Sequence, residues 1–175
     1  LGSPYTFETT LESEYRSDIF GERGILLGAV HGIAESLYAR YVSQGMAKDD
    51  AYLNTSESIT GPISKSISRS GLKAVYEELD EGEKAAFRKA YNAAYHPSRE
   101  ILEEIYDDVA SGNEVRSVIQ ATRRHDTYPM GKIDSTDMWV VGEEVRADSQ
   151  RNYAPINPET AGTYMACMMA QVDLL

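Results

Sequence analysis

Two acidic residues, Asp18 and Glu22, have the residue type and spacing needed to bind a divalent cation. On an α-helix, residues four apart differ by about 40° around the axis, so both carboxylates lie on one face. Tyr15, Ile25 and Ala29 fall on the same stripe, which predicts a core-facing surface. Like charges in such a surface need a compensating cation, and oxygen ligands one turn apart suit Mg²⁺. The alternative interpretation is a pair of acids at the solvated edge of a helix.

The rest of the pattern predicts an all-α fold around this pair. A capping box at Thr9-x-x-Glu12 starts a long first helix that ends near Ser43 and is apolar on several sides, as expected for a largely buried helix. Pro62 predicts a kink in the second helix, whose end over 66–70 also suits a strand, and Pro97 predicts a break. Helices are further predicted over 48–70, 72–79, 81–95, 98–110, 114–125, 136–148 and from 158 onward, with a loop over 126–135.

Four glycines, Gly21, Gly24, Gly28 and Gly32, gather on one side of the first helix. A glycine inside a helix costs about 0.5–1 kcal/mol relative to alanine, so four of them indicate a compensating need. Close approach of another backbone is the need that this arrangement favours. The glycines therefore predict tight helix packing along this side.

Several segments resemble ketol-acid reductoisomerase, also called acetohydroxyacid isomeroreductase, in its long, plant-type form. The sequence SDIFGERGILLGAVHG at 17–32 is similar to the first metal-binding helix of that family. The likeness continues at 57–68 (ESITGPISKSIS), 104–117 (EIYDDVASGNEVRS), 129–134 (PMGKID) and 160–171 (TAGTYMACMMAQ). It therefore covers nearly the whole chain.

The resemblance implies that residues 1–175 are the first repeat of the knotted helical C-terminal domain of this family. The NADPH-binding domain and the second repeat are then absent from this chain. The implied reaction is the Mg²⁺- and NADPH-dependent conversion of acetohydroxy acids (2-acetolactate and 2-aceto-2-hydroxybutyrate) to 2,3-dihydroxy acids in valine, isoleucine and leucine biosynthesis. The isolated segment is expected to be inactive. The alternative, from a different class, is a non-catalytic helical scaffold or interaction module.

The resemblance also implies roles for single residues. Asp18 corresponds to the carboxylate that bridges two Mg²⁺ ions, and Glu22 corresponds to a ligand of one of them. Leu26 and Leu27 correspond to apolar contacts beside the alkyl group of the substrate. Glu57 stands where short family members place a further ligand, but glycine occupies the position four residues on, so we interpret Glu57 as structural.

Composition restricts the partners and the chemistry further. The net charge of −11 argues against nucleic acid and anionic membranes, which would repel the chain. The single cysteine, Cys167, lies in an apolar stretch and is expected to be a small buried residue. His31 lies about half a turn from Glu22 and is expected in the core or at an interface. We expect a homodimer or higher homo-oligomer, located in the chloroplast stroma if the source is a plant or alga and in the cytoplasm if it is bacterial.

Overall fold

The computed structural model describes residues 6–124, 136–151 and 155–174, and every element within these ranges is a helix. The predicted all-α fold is confirmed, and the predicted loop over 126–135 lies outside the described residues. No helix in the described ranges has both the length and the apolar composition needed to cross a bilayer. The α-helices are α1 (Leu11–Gly21), α2 (Val30–Ser43), α3 (Lys48–Tyr52), α4 (Ser64–Ser70), α5 (Ala74–Glu77), α6 (Glu81–Ser111), α7 (Asn113–Arg124), α8 (Asp137–Ala147) and α9 (Pro158–Val172).

The first helix is continuous from α1 to α2, but its winding changes in the middle. Residues Glu22–Ala29 form a π-helical segment, and the backbone keeps right-handed helical angles at both of its junctions. The N–H of Val30 bonds to the carbonyl of Ile25, five residues back, as a π-turn requires. The length of the first helix is therefore confirmed, with a wider turn that a uniform helical period does not predict. The expectation that this helix is largely buried is wrong for α1, where Phe20 is the buried residue.

The N-terminal caps follow from short polar side chains. The hydroxyl of Thr10 accepts a hydrogen bond from the N–H of Ser13 at 3.1 Å, so the first helix is capped one residue later than the predicted box at Thr9. Helix α6 starts with a complete capping box, in which Asp80 and Glu83 each accept a backbone N–H from the other. These caps fix where the long helices begin.

The second helical stretch runs from Lys48 to Ser70 through two further π-helical segments, Leu53–Glu57 and Ile59–Ile63. Pro62 lies inside the second of these, and the hydroxyl of Ser64 donates to the carbonyl of Ile59 at 2.6 Å. A π-turn and a side-chain donor thus satisfy the backbone where proline removes an N–H. The end of this stretch is helical, which excludes the strand alternative for 66–70.

Helix α6 continues through Pro97 over 31 residues, which corrects the predicted break before this proline. Packing against α9 on both sides of the proline explains the difference. Before it, α6 and α9 approach so closely that a Cβ on Gly162 would lie 2.4 Å from the carbonyl oxygen of Phe87. After it, Leu102 is buried in one apolar cluster with Cys167. Packing on α9 on both sides of Pro97 outweighs the single hydrogen bond that this proline lacks.

Two apolar clusters form the core of the described residues. The larger one joins α2, α3, α8 and α9, and the smaller one joins the first helix to α6 and α9 beside Asp18 and Glu22. Cys167 is 2% exposed, as predicted, and burial raises the pKa of its thiol. The larger cluster includes Leu37, Tyr41, Tyr52, Ile63, Val75, Met138, Ala161 and Met165, and the smaller one consists of Phe20, Leu102, Val109, Cys167 and Ala170.

A buried polar network ties α9 to the first two helical stretches. The hydroxyl of Thr160 donates to the carbonyl of Asn54 at 2.7 Å, within a π-helical segment, and lies 3.0 Å from the hydroxyl of Tyr41. Asn157 accepts from Tyr41 at 3.0 Å and caps α9 through the N–H of Thr160. Because Thr160 is fully buried, these bonds satisfy groups that water cannot reach.

Candidate metal-binding site

Asp18 and Glu22 lie one turn apart at the junction between α1 and the π-helical segment. The N–H of Glu22 bonds to the carbonyl of Asp18, so the predicted one-turn spacing is present in the backbone. Phe20, two residues from each acid and about 200° around the helix, is 2% exposed and points into the core. The two carboxylates are therefore carried on the face opposite to a buried anchor.

Both acids are exposed in this chain, which corrects the prediction that they share a core-facing stripe. Tyr15 on that stripe is 38% exposed, while Ile25 and Ala29 are only partly buried. The core face of α1 is instead set by Phe20, which packs edge-on against Tyr106 of α6 at 5.6 Å between ring centroids. Burial in this chain thus imposes no desolvation cost on the pair.

No cationic side chain among the described residues neutralises the Asp18 and Glu22 carboxylates. Neither Asp18 nor Glu22 has an ion pair or side-chain hydrogen bond among the described residues, although Arg23 is adjacent in sequence. The Arg23 guanidinium instead donates to the carboxylate of Glu114 at 2.7 Å. Two adjacent, uncompensated carboxylates are a donor set that suits Mg²⁺, which takes one or two protein carboxylates and keeps waters or substrate in its other positions.

The described part of the chain supplies only part of a metal site. Within it, no group of three or more His, Cys, Asp or Glu side chains is placed to hold an ion. Asp18 and Glu22 therefore fit the metal as two ligands of a larger set.

Glu22 borders an open groove of about 670 Å³ between the first helix and α7. The α7 wall is apolar, with Val115, Val118 and Ile119 respectively 39, 49 and 47% exposed. An acidic edge facing an apolar wall could hold a small molecule with both oxygen atoms and an alkyl group. The sequence analysis did not single out this wall, although apolar residues at i, i+3 and i+4 were a signal for it. The groove is lined by Ile19, Glu22, Arg23, Gly28, Glu114, Val115, Val118 and Ile119.

Leu26 and Leu27 lie in the π-helical segment, four and five residues after Glu22. Their side chains are outside the part of the chain that the structure describes, so their contact with substrate stays a prediction. Among the four glycines, the expected close packing is present at Gly24, where a Cβ would lie 2.8 Å from the side chain of Leu102 in α6, but not along the whole stripe. A Cβ on Gly28 would lie 2.2 Å from the carbonyl oxygen of Arg23 in the same helix, whereas one on Gly32 would meet nothing within 4 Å. Gly28 is therefore required by the π-turn itself.

Glu57 and His31 lie away from the carboxylate pair. Glu57 is 7% exposed, and its carboxylate accepts from Arg151 at 3.4 Å, which supports the structural interpretation of this residue. His31 packs against Trp139 of α8, with 5.7 Å between ring centroids, whereas Glu22 borders α7. His31 is thus partly buried against α8, which agrees with the expected position in the core or at an interface.

Fold and site together define an all-helical domain whose first long helix offers an exposed carboxylate pair suited to a divalent cation. Residues 11–151 match the sequence profile of a known family, described as the C-terminal domain of ketol-acid reductoisomerase. The chain belongs to this family.

Curated relatives agree with this assignment. The whole chain is 58% identical, over 182 aligned residues, to chloroplastic ketol-acid reductoisomerase of Pisum sativum, and the match covers 31% of that protein. Identity is 25% to mitochondrial ketol-acid reductoisomerase of Saccharomyces cerevisiae, over 83% of the chain and 38% of the relative. It is 27% to ketol-acid reductoisomerase (NAD(+)) of Desulfosudis oleivorans, over 84% of the chain and 43% of the relative. The chain thus spans about a third of the pea protein.

Proposed function

We propose that this chain is the part of a ketol-acid reductoisomerase that supplies the first metal-binding helix. The observation that carries the proposal is the exposed pair Asp18 and Glu22, which no cation of the described residues compensates, in a chain of this family. The reaction is the conversion of acetohydroxy acids to 2,3-dihydroxy acids in branched-chain amino-acid biosynthesis. Because the chain is a fraction of its relatives' length, the activity belongs to the longer protein.

In this proposal Asp18 and Glu22 hold Mg²⁺, with Asp18 shared between two ions. The ions supply Lewis-acid stabilisation of negative charge on the substrate oxygens. Leu26 and Leu27 contact the alkyl group, and the apolar side chains of α7 keep water from it. Reduction requires a nicotinamide bound by a domain outside this chain; we propose NADPH, while the name of the Desulfosudis relative specifies NAD(+).

The proposal extends to architecture and location. Residues 1–175 form the first repeat of a knotted helical domain, and the intact protein is a homodimer or higher homo-oligomer. We place it in the chloroplast stroma. This location is supported by 58% identity to a relative named chloroplastic, against 25% to one named mitochondrial.

Steady-state kinetics of the full-length protein test the metal assignment. Asp18→Asn is expected to abolish turnover, because a shared ligand serves both ions. Glu22→Gln is expected to reduce turnover less completely and to raise the Mg²⁺ concentration required. Glu57→Gln is the matched control, since it removes a buried charge away from the site. Equal damage from Glu57→Gln and Asp18→Asn would contradict the assignment.

A second experiment separates the enzyme from a non-catalytic scaffold. Mg²⁺ added to the full-length protein is expected to slow hydrogen exchange in the helix that carries Asp18. An unchanged exchange rate with saturating Mg²⁺ would favour the scaffold. The isolated segment should bind Mg²⁺ only weakly and NADPH not at all, because two carboxylates supply a minority of the oxygens that two ions need. Tight calorimetric binding of two ions to the segment would contradict this.

A further inference from the structure

Glu114 is a buried carboxylate next to the candidate site. It is 6% exposed and lies in the first turn of α7, just after the left-handed Gly112 (φ 76°) that turns the chain out of α6. The positive end of the α7 dipole favours its negative charge. Its ion-pair partner is Arg23, at 2.7 Å, from a position 91 residues earlier in the chain.

Arg23 joins the π-helical segment to α7 through its side chain, and its carbonyl lies inside the π-turn. The guanidinium is fixed by Glu114, and the carbonyl lies so close to Gly28 that a Cβ there would come within 2.2 Å. Arg23 directly follows Glu22 at the start of the π-helical segment. The ion pair therefore ties the start of this segment, next to Glu22, to α7.

The same ion pair also keeps the positive charge of Arg23 away from Asp18 and Glu22. An Arg23 guanidinium released from Glu114 would be a mobile cation beside Asp18 and Glu22, able to compete with a metal for them. While Glu114 holds Arg23 at 2.7 Å, the Arg23 guanidinium is not available to pair with either acid.

We infer that Glu114 is a positioning residue for the metal site: through Arg23 it fixes the π-turn behind Glu22 and keeps a competing cation away from the carboxylate pair. This inference rests on the proposed function, in which Asp18 and Glu22 bind Mg²⁺. Loss of a partner that orients a ligand typically weakens metal binding by about 10–100-fold. Glu114→Gln, which removes the charge but keeps the side-chain shape, is expected to fall in this range.

The test is Mg²⁺ calorimetry on the full-length protein, with wild type, Asp18→Asn, Glu114→Gln and Glu57→Gln compared. Glu57 is the matched control because its side chain is 8% exposed, as is that of Glu114, and it too is paired with an arginine. Glu114→Gln is expected to raise the Kd for Mg²⁺ by about 10-fold or more, and Glu57→Gln to leave it unchanged. Hydrogen exchange without Mg²⁺ is expected to be faster over Glu22–Ala29 in Glu114→Gln alone.

The outcomes separate the inference from the proposed function. If Asp18→Asn loses Mg²⁺ binding while Glu114→Gln binds it like wild type, the positioning role is wrong and the proposed function stands. An equal loss in Glu57→Gln would show general destabilisation and would also overturn the role. Mg²⁺ binding unaffected by Asp18→Asn would overturn the metal assignment itself. If Glu114→Gln does not fold, Arg23→Gln/Glu114→Gln removes the ion pair and the competing cation together, so weaker Mg²⁺ binding in it reports the loss of the fixed turn alone, and Mg²⁺ binding like wild type would overturn the positioning role.

Discussion

Replacing Gly28 by alanine tests whether the helix behind Glu22 contains a π-turn. In a regular α-helix, alanine in place of an interior glycine stabilises by up to about 1 kcal/mol. In this structure the added Cβ would lie 2.2 Å from the carbonyl oxygen of Arg23, more than 1 Å short of the 3.4 Å at which ordinary contact begins. The obstacle is backbone and cannot rotate away, so we expect a cost of about 2–3 kcal/mol, in the upper part of the range for overpacking. The net destabilisation is then about 1–2 kcal/mol.

Gly32→Ala is the matched control, since it lies in the same continuous helix and its Cβ would meet nothing within 4 Å. Thermal unfolding of the 175-residue chain, followed by far-UV circular dichroism, compares the two. At about 2–4 °C per kcal/mol, Gly28→Ala should lower Tm by about 2–8 °C, and Gly32→Ala should raise it by up to about 4 °C. If Gly28→Ala raised Tm as much as Gly32→Ala, the turn would be an ordinary α-turn and our argument for Glu22 would fail.

Three further predictions concern the core and its edges. Thr160→Val removes the buried hydroxyl that donates to the carbonyl of Asn54, and we expect a loss of about 1–3 kcal/mol in the free energy of unfolding, measured with urea. Cys167 is expected to resist iodoacetamide in the native chain and to react fully in denaturant, because the thiol is buried and burial raises its pKa. The Lys48 ammonium donates to the Asp137 carboxylate at 2.7 Å and lowers the pKa of that carboxyl. The ionised carboxylate therefore stabilises the fold at pH values above its unfolded pKa of about 3.9. This stabilisation disappears as the pH falls through the lower pKa of the folded state. Asp137→Asn should therefore lower Tm at neutral pH and converge with wild type in acid.

Each of these has an outcome that would contradict it. Thr122→Val is the control for the first, because its exposed hydroxyl donates to the carbonyl of Val118 in the same helix at 2.9 Å, and we expect a change in stability of less than about 0.5 kcal/mol. Equal losses of unfolding free energy for Thr122→Val and Thr160→Val would show that burial of the hydroxyl does not determine the cost of removing it. Rapid native alkylation of Cys167 would contradict the packing of α6 on α9. A Tm difference for Asp137→Asn that stays constant down to acid pH would show that its charge is irrelevant.

The sequence predicted the helices well where periodicity and caps agree. The first helix ends at Ser43, as its apolar period predicted, and its cap at Thr10 lies one residue after the predicted Thr9. Its π-helical segment was not predictable by assigning 100° to every residue, because the wider turn depends on backbone contact at Gly28. The expected break at Pro97 was wrong because local preference was outweighed by burial on α9, which only the tertiary structure reveals.

The candidate site, like the fold, was predicted only in part from the sequence. The spacing of Asp18 and Glu22 placed both acids one turn apart, and the structure agrees. The interpretation of their stripe as core-facing was wrong for this chain, because Phe20 sets the buried face and the neighbouring apolar residues are only partly covered. The Arg23–Glu114 pair could not be predicted, because nothing local relates residues 91 positions apart.

The most direct test of the metal site is a crystal structure of the full-length protein soaked with Mn²⁺, which substitutes for Mg²⁺ at oxygen-ligand sites and gives an anomalous signal. Our account predicts anomalous peaks about 2.0–2.2 Å from carboxylate oxygens of both Asp18 and Glu22, with Asp18 shared between two peaks. Occupied Mn²⁺ positions held entirely by other residues, with both carboxylates facing solvent, would contradict it.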